Sequence, residues 1–226
     1  WWNLVTVPAA WICLLLGKAP MISPRGTLTY YTIYHKGQFF KSIFHNWIGA
    51  KLLERSVLCF TTIHEYQEAK KLTRTEKYFV LPNILDLQDP RLVIRKAEES
   101  LQILFLGRID PAKNLELVIE ALSSDLDFNY QWKIAGEGDE GYIKVLKEKA
   151  KNLHDVQWLG AITGEAKYNL LAEADLLVLP SHTENFGNVV LEALSQGTPV
   201  LLSPHVGIGD YVIRQKLGFV VEDNPE

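Results

Sequence analysis

The chain has 226 residues, 47% of them hydrophobic, enough apolar surface for a packed core and too much for a disordered chain. Lys and Arg number 23 against 27 Asp and Glu, a net charge of -4. That balance excludes a general nucleic-acid binder, which presents a basic face, but a few local cations still suffice for one small anionic ligand.

In chain order, the first element is an apolar run from Leu4 to Leu16. It is shorter than the roughly 20 residues that a bilayer crossing needs. Pro8 interrupts it and no basic segment precedes it, so it reads as a buried helix rather than a span or leader. The chain starts Trp1-Trp2-Asn3 without a Met, the pattern expected of a fragment cut inside a domain. A short strand is predicted over Ala19 to Ser23. A long amphipathic helical stretch follows from about Lys41 to Lys71, broken near Cys59 to Thr62. A strand over Tyr78 to Leu81 ends at Pro82-Asn83. So few α/β elements cannot close a sheet, so residues 1–86 read as an incomplete domain. Trp11, Trp47, Tyr30 and Tyr31 are assigned to packing. Cys13 and Cys59 show no CxxC or metal-ligand spacing and read as buried thiols of a reducing compartment. Residues 87–100 are charged and polar, as in a linker.

From residue 101 to 226 the pattern is regular. Apolar runs end in Gly or Pro at Leu101–Leu106, Trp132–Ala135, Val156–Leu159, Leu176–Leu179, Val200–Leu202 and Phe219–Val221, with helical stretches between them. Leu115, Val118, Ile119 and Leu122 have the spacing of a one-face helix. Alternating strands and helices predict a Rossmann-like, doubly wound parallel sheet covered on both faces. Such sheets bind ligands beyond the carboxyl ends of their strands, so the loops after the apolar runs are the ones to inspect.

The first loop, Gly107 to Asn114, joins a glycine to two cations, Arg108 and Lys113, at the expected start of a helix near Ala112. A guanidinium fork, an ammonium and a helix N-terminus together suit a diphosphate; two solvated surface cations are the plainer alternative. The second loop, Gly136 to Gly141, spells GxGxxG, the spelling of a dinucleotide site. It follows the second strand rather than the first, and it carries three carboxylates that would repel a pyrophosphate. An NAD-dependent oxidoreductase is therefore the weaker reading. The third loop runs Pro180-Ser181-His182-Thr183-Glu184-Asn185-Phe186-Gly187-Asn188 into a helix bearing Glu192. Glu184 falls in the loop and Glu192 about one turn into the helix, where both can accept hydrogen bonds from sugar hydroxyls. The amides of Phe186, Gly187 and Asn188 are placed to bind an anion. Apolar neighbours around Glu192 demand a partner for its carboxylate. Asp125-Leu126-Asp127 spells a DxD, but after a helix and in a polar turn, which argues against a metal site. His182 reads as a spacer. His35, His45, His64 and His154 have no constellation around them.

Together these loops resemble the retaining GT-B glycosyltransferases of the group 1 family, which carry Gly-Arg-x(4)-Lys, Gly-x-Gly and Pro-Ser-x-x-Glu-x-Phe-Gly with Glu-x(7)-Glu. All three occur here in order. The Glu-x(7)-Glu segment is the specific one. The resemblance covers Leu101 to Val221, and Met21 to Gly26 is similar to a later part of the family's N-terminal domain. The family's early glycine loop, its N-domain histidine and its final helices have no counterpart here.

The resemblance implies a donor-binding domain of the GT-B fold beside an incomplete second Rossmann-like domain. It implies a nucleoside-diphosphate-sugar donor, Gly107, Arg108 and Lys113 at its diphosphate, and Gly136 at the neighbouring loop. Glu192 would bind the ribose, Glu184 would act as the catalytic group at the transferred sugar, and Phe186 to Asn188 would hold sugar or phosphate. Transfer would retain configuration, by a front-face route or a covalent intermediate, without a metal or other cofactor. The acceptor would be a glycan, a lipid-linked glycan or a small molecule, as in cell-surface polysaccharide or glycolipid synthesis, with Arg25 and Gly26 on the acceptor side. A cytoplasmic enzyme with peripheral membrane association is expected, inactive when reduced to this fragment. A non-catalytic nucleotide-sugar-binding relative is the alternative, against which the intact Arg108, Lys113, Glu184 and Glu192 argue.

Overall fold

The computed structural model describes residues 5–29, 49–91 and 100–222. The chain forms two compact units, Trp1–Ile84 and Leu85–Glu226. Tyr30, Tyr31, His35, His45, Trp47 and residues 41–48 of the expected helical stretch lie outside the described residues, as do residues 92–99 of the expected linker.

In the first unit, helix α1 spans Thr6–Leu15. It buries Ala10 and packs Val7 and Leu14 against the same cluster, the i, i+3, i+7 face of one helix. Because the run is apolar all round, packing one face leaves apolar side chains on the other. Trp11 is 41% exposed and Leu15 79%. The helix is therefore not buried as expected, and Trp11 is not a core residue. Strand β1 is Met21–Ile22.

The predicted helical stretch is corrected at its centre. Helix α2 ends at Glu54 after starting at Ala50, and Val57–Phe60 is strand β2. A β-branched and aromatic run between Ser56 and Thr61 favours a strand, and Leu58 and Phe60 are fully buried from it. Helix α3, Ile63–Lys70, is opened by Thr62, whose hydroxyl accepts from the Glu65 amide at 3.0 Å. Strand β3 is Tyr78–Val80. The three strands pair in parallel in the order β1-β2-β3. Cys13 and Cys59 are free and half-buried, more open than the buried thiols expected.

The second unit matches the sequence closely. Its strands are β4 (Ser100–Leu106), β5 (Asn129–Ala135), β6 (Val156–Gly160), β7 (Leu176–Leu179), β8 (Val200–Leu202) and β9 (Gly218–Val220). Between them run α4 (Leu115–Leu122), α5 (Glu140–Lys149), α6 (Gly164–Glu173), α7 (Asn188–Ser195) and α8 (Gly209–Gln215). All strand pairs are parallel, and the spatial order is β6-β5-β4-β7-β8-β9. Counted within the unit, that is third, second, first, fourth, fifth, sixth, the doubly wound Rossmann arrangement. The core holds Leu104, Phe105, Trp132, Ile134 and Leu177, each 1% exposed or less, and burying one such side chain contributes about 1.5–3 kcal/mol. Leu115, Val118, Ile119 and Leu122 are the buried face of α4, as their spacing requires.

Two local differences bear on the site. The helix expected to start near Ala112 is a 3₁₀ turn, Pro111–Lys113, ended by Asn114 in the left-handed conformation (φ 53°), and α4 starts only at Leu115. Asn is one of the few residues that tolerates that conformation. Residues 85–91, partly assigned to the linker, belong to the second unit. The Gln196 amide nitrogen donates to the Gln88 carbonyl at 3.2 Å, and the Arg91 amide donates to Gln196 Oε1 at 3.1 Å.

Candidate functional site

Parallel strands place all the loops that follow them on one edge of the sheet. The strand order reverses between β4 and β7, and a crevice at such a reversal is where open α/β sheets hold ligands. A cleft of about 620 Å³ opens there, lined by Gly107 and Arg108 after β4, Gly136 to Gly138 after β5, Ala161 and Ile162 after β6, Lys167 of α6, and Asn188, Val189 and Glu192 of α7. Its volume falls in the range of about 300–1,000 Å³ usual for small-molecule sites.

Backbone hydrogen bonds fix the loops around it. The His182 amide donates to the Ala112 carbonyl at 2.9 Å, the Glu184 amide to His205 at 3.1 Å, and the Gly207 amide to Glu184 at 2.8 Å. The loops after β4, β7 and β8 are thereby joined. His182 is exposed, and its backbone makes the link to the β4 loop.

The glycines of the site divide by cause. A Cβ on Gly136 (φ +151°) would stand 1.8 Å from the Gly107 carbonyl oxygen, and one on Gly138 would stand 1.8 Å from the Ile109 carbonyl oxygen. These glycines let the β4 and β5 loops touch, an approach completed by the Ile109 amide donating to Glu137 at 2.7 Å. Asp139 caps α5 by accepting from the Tyr142 amide at 2.8 Å, so its own carboxylate holds that helix N-terminus. The GxGxxG spelling is thus accounted for by packing and capping, and the dinucleotide reading loses its footing. Gly107 differs. A Cβ there would meet only Phe105, at an ordinary 3.6 Å, so nothing within the protein demands a glycine at this wall of the cleft.

The charged groups on these loops form three ion pairs, of which Lys113–Glu184 lies beside the cleft rather than in its lining. Lys113 Nζ hydrogen-bonds Glu184 Oε2, with side chains 16% and 21% exposed. Lys167 Nζ donates to Glu192 Oε1 at 2.8 Å, with side chains 23% and 18% exposed. Each carboxylate of the Glu-x(7)-Glu pair is therefore held by a lysine from another loop or helix. Lys167 is the partner that the apolar surroundings of Glu192 demanded, and none of the three loop motifs contains it. It lies four residues past Thr163, in the first turns of α6, and no local pattern ties it to Glu192. Arg108 is exposed and donates from Nε to Asp110 Oδ2 at 2.6 Å. Asp110 also accepts from the Ala112 amide at 2.9 Å, so the turn beside Lys113 is already capped and is not the open anion-binding helix end expected.

The helix end that borders the cleft is that of α7. Gly187, its N-cap, is left-handed (φ 87°) and offers no side-chain cap, and Asn188 and Val189 of the first turn line the cleft. A helix start carries amides without helical acceptors and a partial positive charge. Phe186 is 6% exposed and part of the hydrophobic core, so its side chain anchors the loop and only its backbone is available to a ligand.

Arg25 and Gly26 stand in the first unit, just beyond β1. Both are left-handed, at φ 48° and 77°. The buried Glu65 carboxylate binds this turn, accepting from the Gly26 amide at 2.8 Å and from the Thr61 amide at 2.7 Å. Asp125 and Asp127 precede β5, on the sheet edge opposite the cleft. Among the described residues, no group of three or more His, Cys, Asp or Glu is arranged to hold a metal ion, and no helix is long and apolar enough to cross a membrane.

The family model for group 1 glycosyl transferases matches residues 89–226. An uncharacterized glycosyltransferase of Methanocaldococcus jannaschii is 35% identical over 132 residues, which are 57% of this chain and 34% of that protein. Among solved structures, Anabaena HepE in complex with UDP-glucose superposes with a TM-score of 0.73 at 19% identity, over 95% of this chain and 61% of that one. WaaG, a glycosyltransferase involved in lipopolysaccharide biosynthesis, gives 0.66 at 20% identity, over 95% of this chain and 68% of that one. The chain thus spans about a third of its curated relative's length. The two parallel sheets match the GT-B fold. The family match covers the whole six-stranded sheet and every loop around the cleft, and the chain belongs to the group 1 glycosyl transferases.

Proposed function

We propose that the second unit binds a nucleoside-diphosphate sugar and serves as the donor half of a retaining glycosyltransferase. The observation that carries this reading is the cleft at the strand reversal, where the N-terminus of α7, the Arg108 guanidinium and the lysine-held carboxylate of Glu192 converge, with the Lys113–Glu184 pair on loops that adjoin it. In this reading the diphosphate meets Arg108, Lys113 and the first amides of α7, and Gly107 lets it approach the backbone. Glu192 takes the ribose hydroxyls. Glu184 contacts the transferred sugar near the reacting carbon, with its charge balanced by Lys113. Cations and a helix start neutralise the diphosphate as it leaves, so transfer needs no metal. The acceptor is a glycan or a lipid-linked glycan, of the kind that lipopolysaccharide synthesis uses, and Arg25 and Gly26 belong to its side. The whole protein acts at the inner face of a membrane.

Calorimetry tests the donor assignment. UDP or GDP binds, NAD does not, and EDTA leaves the affinity unchanged. Absence of binding by any nucleoside diphosphate at millimolar ligand sinks the reading, and a strict need for magnesium or manganese removes its metal-free part. Turnover is tested on the intact gene product, with radiolabelled nucleotide sugars and a membrane extract as the acceptor source.

A further inference from the structure

Lys167 stands out because the sequence motifs leave it out and the cleft includes it. It comes from α6, lines the same wall as Glu192, and donates to Glu192 Oε1 at 2.8 Å. Its ammonium also lies 4.8 Å from the centre of the Tyr168 ring, and Tyr168 is buried in the core. The lysine is therefore braced on one side by a packed aromatic face and on the other by a carboxylate. Glu192 sits in α7 between Val190 and Ala193, both fully buried, so its helix cannot easily shift. Its second oxygen, Oε2, makes no hydrogen bond among the described residues.

We infer that Lys167 is a positioning residue for the nucleoside. It fixes one oxygen of Glu192 and leaves the other for the sugar hydroxyls of a ribonucleotide. The inference rests on the donor reading above and adds a residue and a selectivity to it. Two physical effects combine. A carboxylate anchored at one oxygen loses less rotamer freedom when it accepts a second hydrogen bond. An adjacent ammonium also cancels the repulsion that a bare carboxylate would exert on a diphosphate bound in the same cleft. Selectivity follows because vicinal ribose hydroxyls satisfy the free oxygen and a dideoxyribose cannot, leaving a desolvated acceptor unpaired.

The test compares the affinity of the preferred nucleoside diphosphate, UDP or GDP, with that of its 2′,3′-dideoxy analogue in five proteins. These are the unaltered chain, Lys167→Met, Lys167→Arg, Glu192→Gln and the double variant Lys167→Met/Glu192→Gln. The unaltered chain should prefer the ribonucleotide by roughly tenfold, the size of one hydrogen bond to a charged group. Lys167→Met should lose most of that preference, its dideoxy affinity falling much less than its ribonucleotide affinity. Lys167→Arg should restore it, because a guanidinium can hold the same oxygen. Lys167→Met/Glu192→Gln should bind no more weakly than Glu192→Gln alone, the non-additivity of two residues acting through one contact. Melting of each variant shows that it is folded. An equal loss of both ligands in Lys167→Met means that the lysine touches phosphate or base directly, and it overturns the inference while leaving the donor reading intact. An unchanged preference overturns it as well. No nucleoside diphosphate binding to the unaltered chain overturns the donor reading and this inference with it.

Discussion

Lys113 and Glu184 face each other as a hydrogen-bonded ion pair, both largely withdrawn from solvent. In such a pair each group sets the other's availability. An ammonium that holds a carboxylate has less of its charge to offer a diphosphate, and removing either partner strands the other. The two residues therefore answer differently to substitution. Lys113→Ala should weaken nucleoside-diphosphate binding by roughly 1.5–3 kcal/mol, the value of a charge-assisted hydrogen bond. Glu184→Gln keeps the shape, frees the ammonium, and should leave that affinity unchanged or raise it while sharply reducing sugar transfer by the intact enzyme. Calorimetry on the two variants decides the matter. Loss of nucleotide affinity in a folded Glu184→Gln protein would show that the carboxylate itself grips the nucleotide.

The elements around the cleft were legible in the sequence wherever one signal dominated. Apolar runs located all six strands of the second unit, most plainly the inner ones such as β4 and β7, because strands buried on both faces are written as continuous hydrophobic stretches. Val57–Phe60 was harder, since four residues between two helices carry too little periodicity to declare themselves and only tertiary pairing with β1 and β3 makes them a strand. Glu184 and Glu192 were legible as a pair, but their lysines were not equally so, because Lys167 reaches Glu192 across two helices and nothing local records it. The glycines show the same division. Gly136 and Gly138 look like ligand-binding glycines in sequence, yet each faces a backbone oxygen of the β4 loop. Gly138→Ala should therefore destabilise the second unit by about 1–3 kcal/mol, the cost of forcing a methyl group against packed backbone, and lower its melting by several degrees. Gly107→Ala has room for its methyl group and should leave melting unchanged while weakening diphosphate binding. A reversed result, with Gly107→Ala unfolding the unit and Gly138→Ala only losing ligand, would reverse the division of roles.

At the scale of the whole molecule the described core is two cores. The larger cluster contains residues of the second unit alone, Ile103 to Val212, and the smaller one contains Ala10 to Ala69 of the first. Cooperative unfolding is a property of a shared core, and units with separate cores depart from two-state behaviour. The first unit builds its described core from a three-stranded sheet and short helices, and its α1 leaves Ile12 and Leu15 more than half exposed. Less buried apolar area means less stabilisation, so this unit should melt first. Calorimetric scanning of the chain should resolve two transitions. The cleft belongs wholly to the second unit, so adding UDP or GDP at about 100 times its dissociation constant should stabilise that unit by about 2.7 kcal/mol and raise the upper transition only. A lower transition that rises equally with nucleotide would mean that the two units unfold as one or that the first also holds the ligand, and the assignment of donor binding to the second unit alone would then fail.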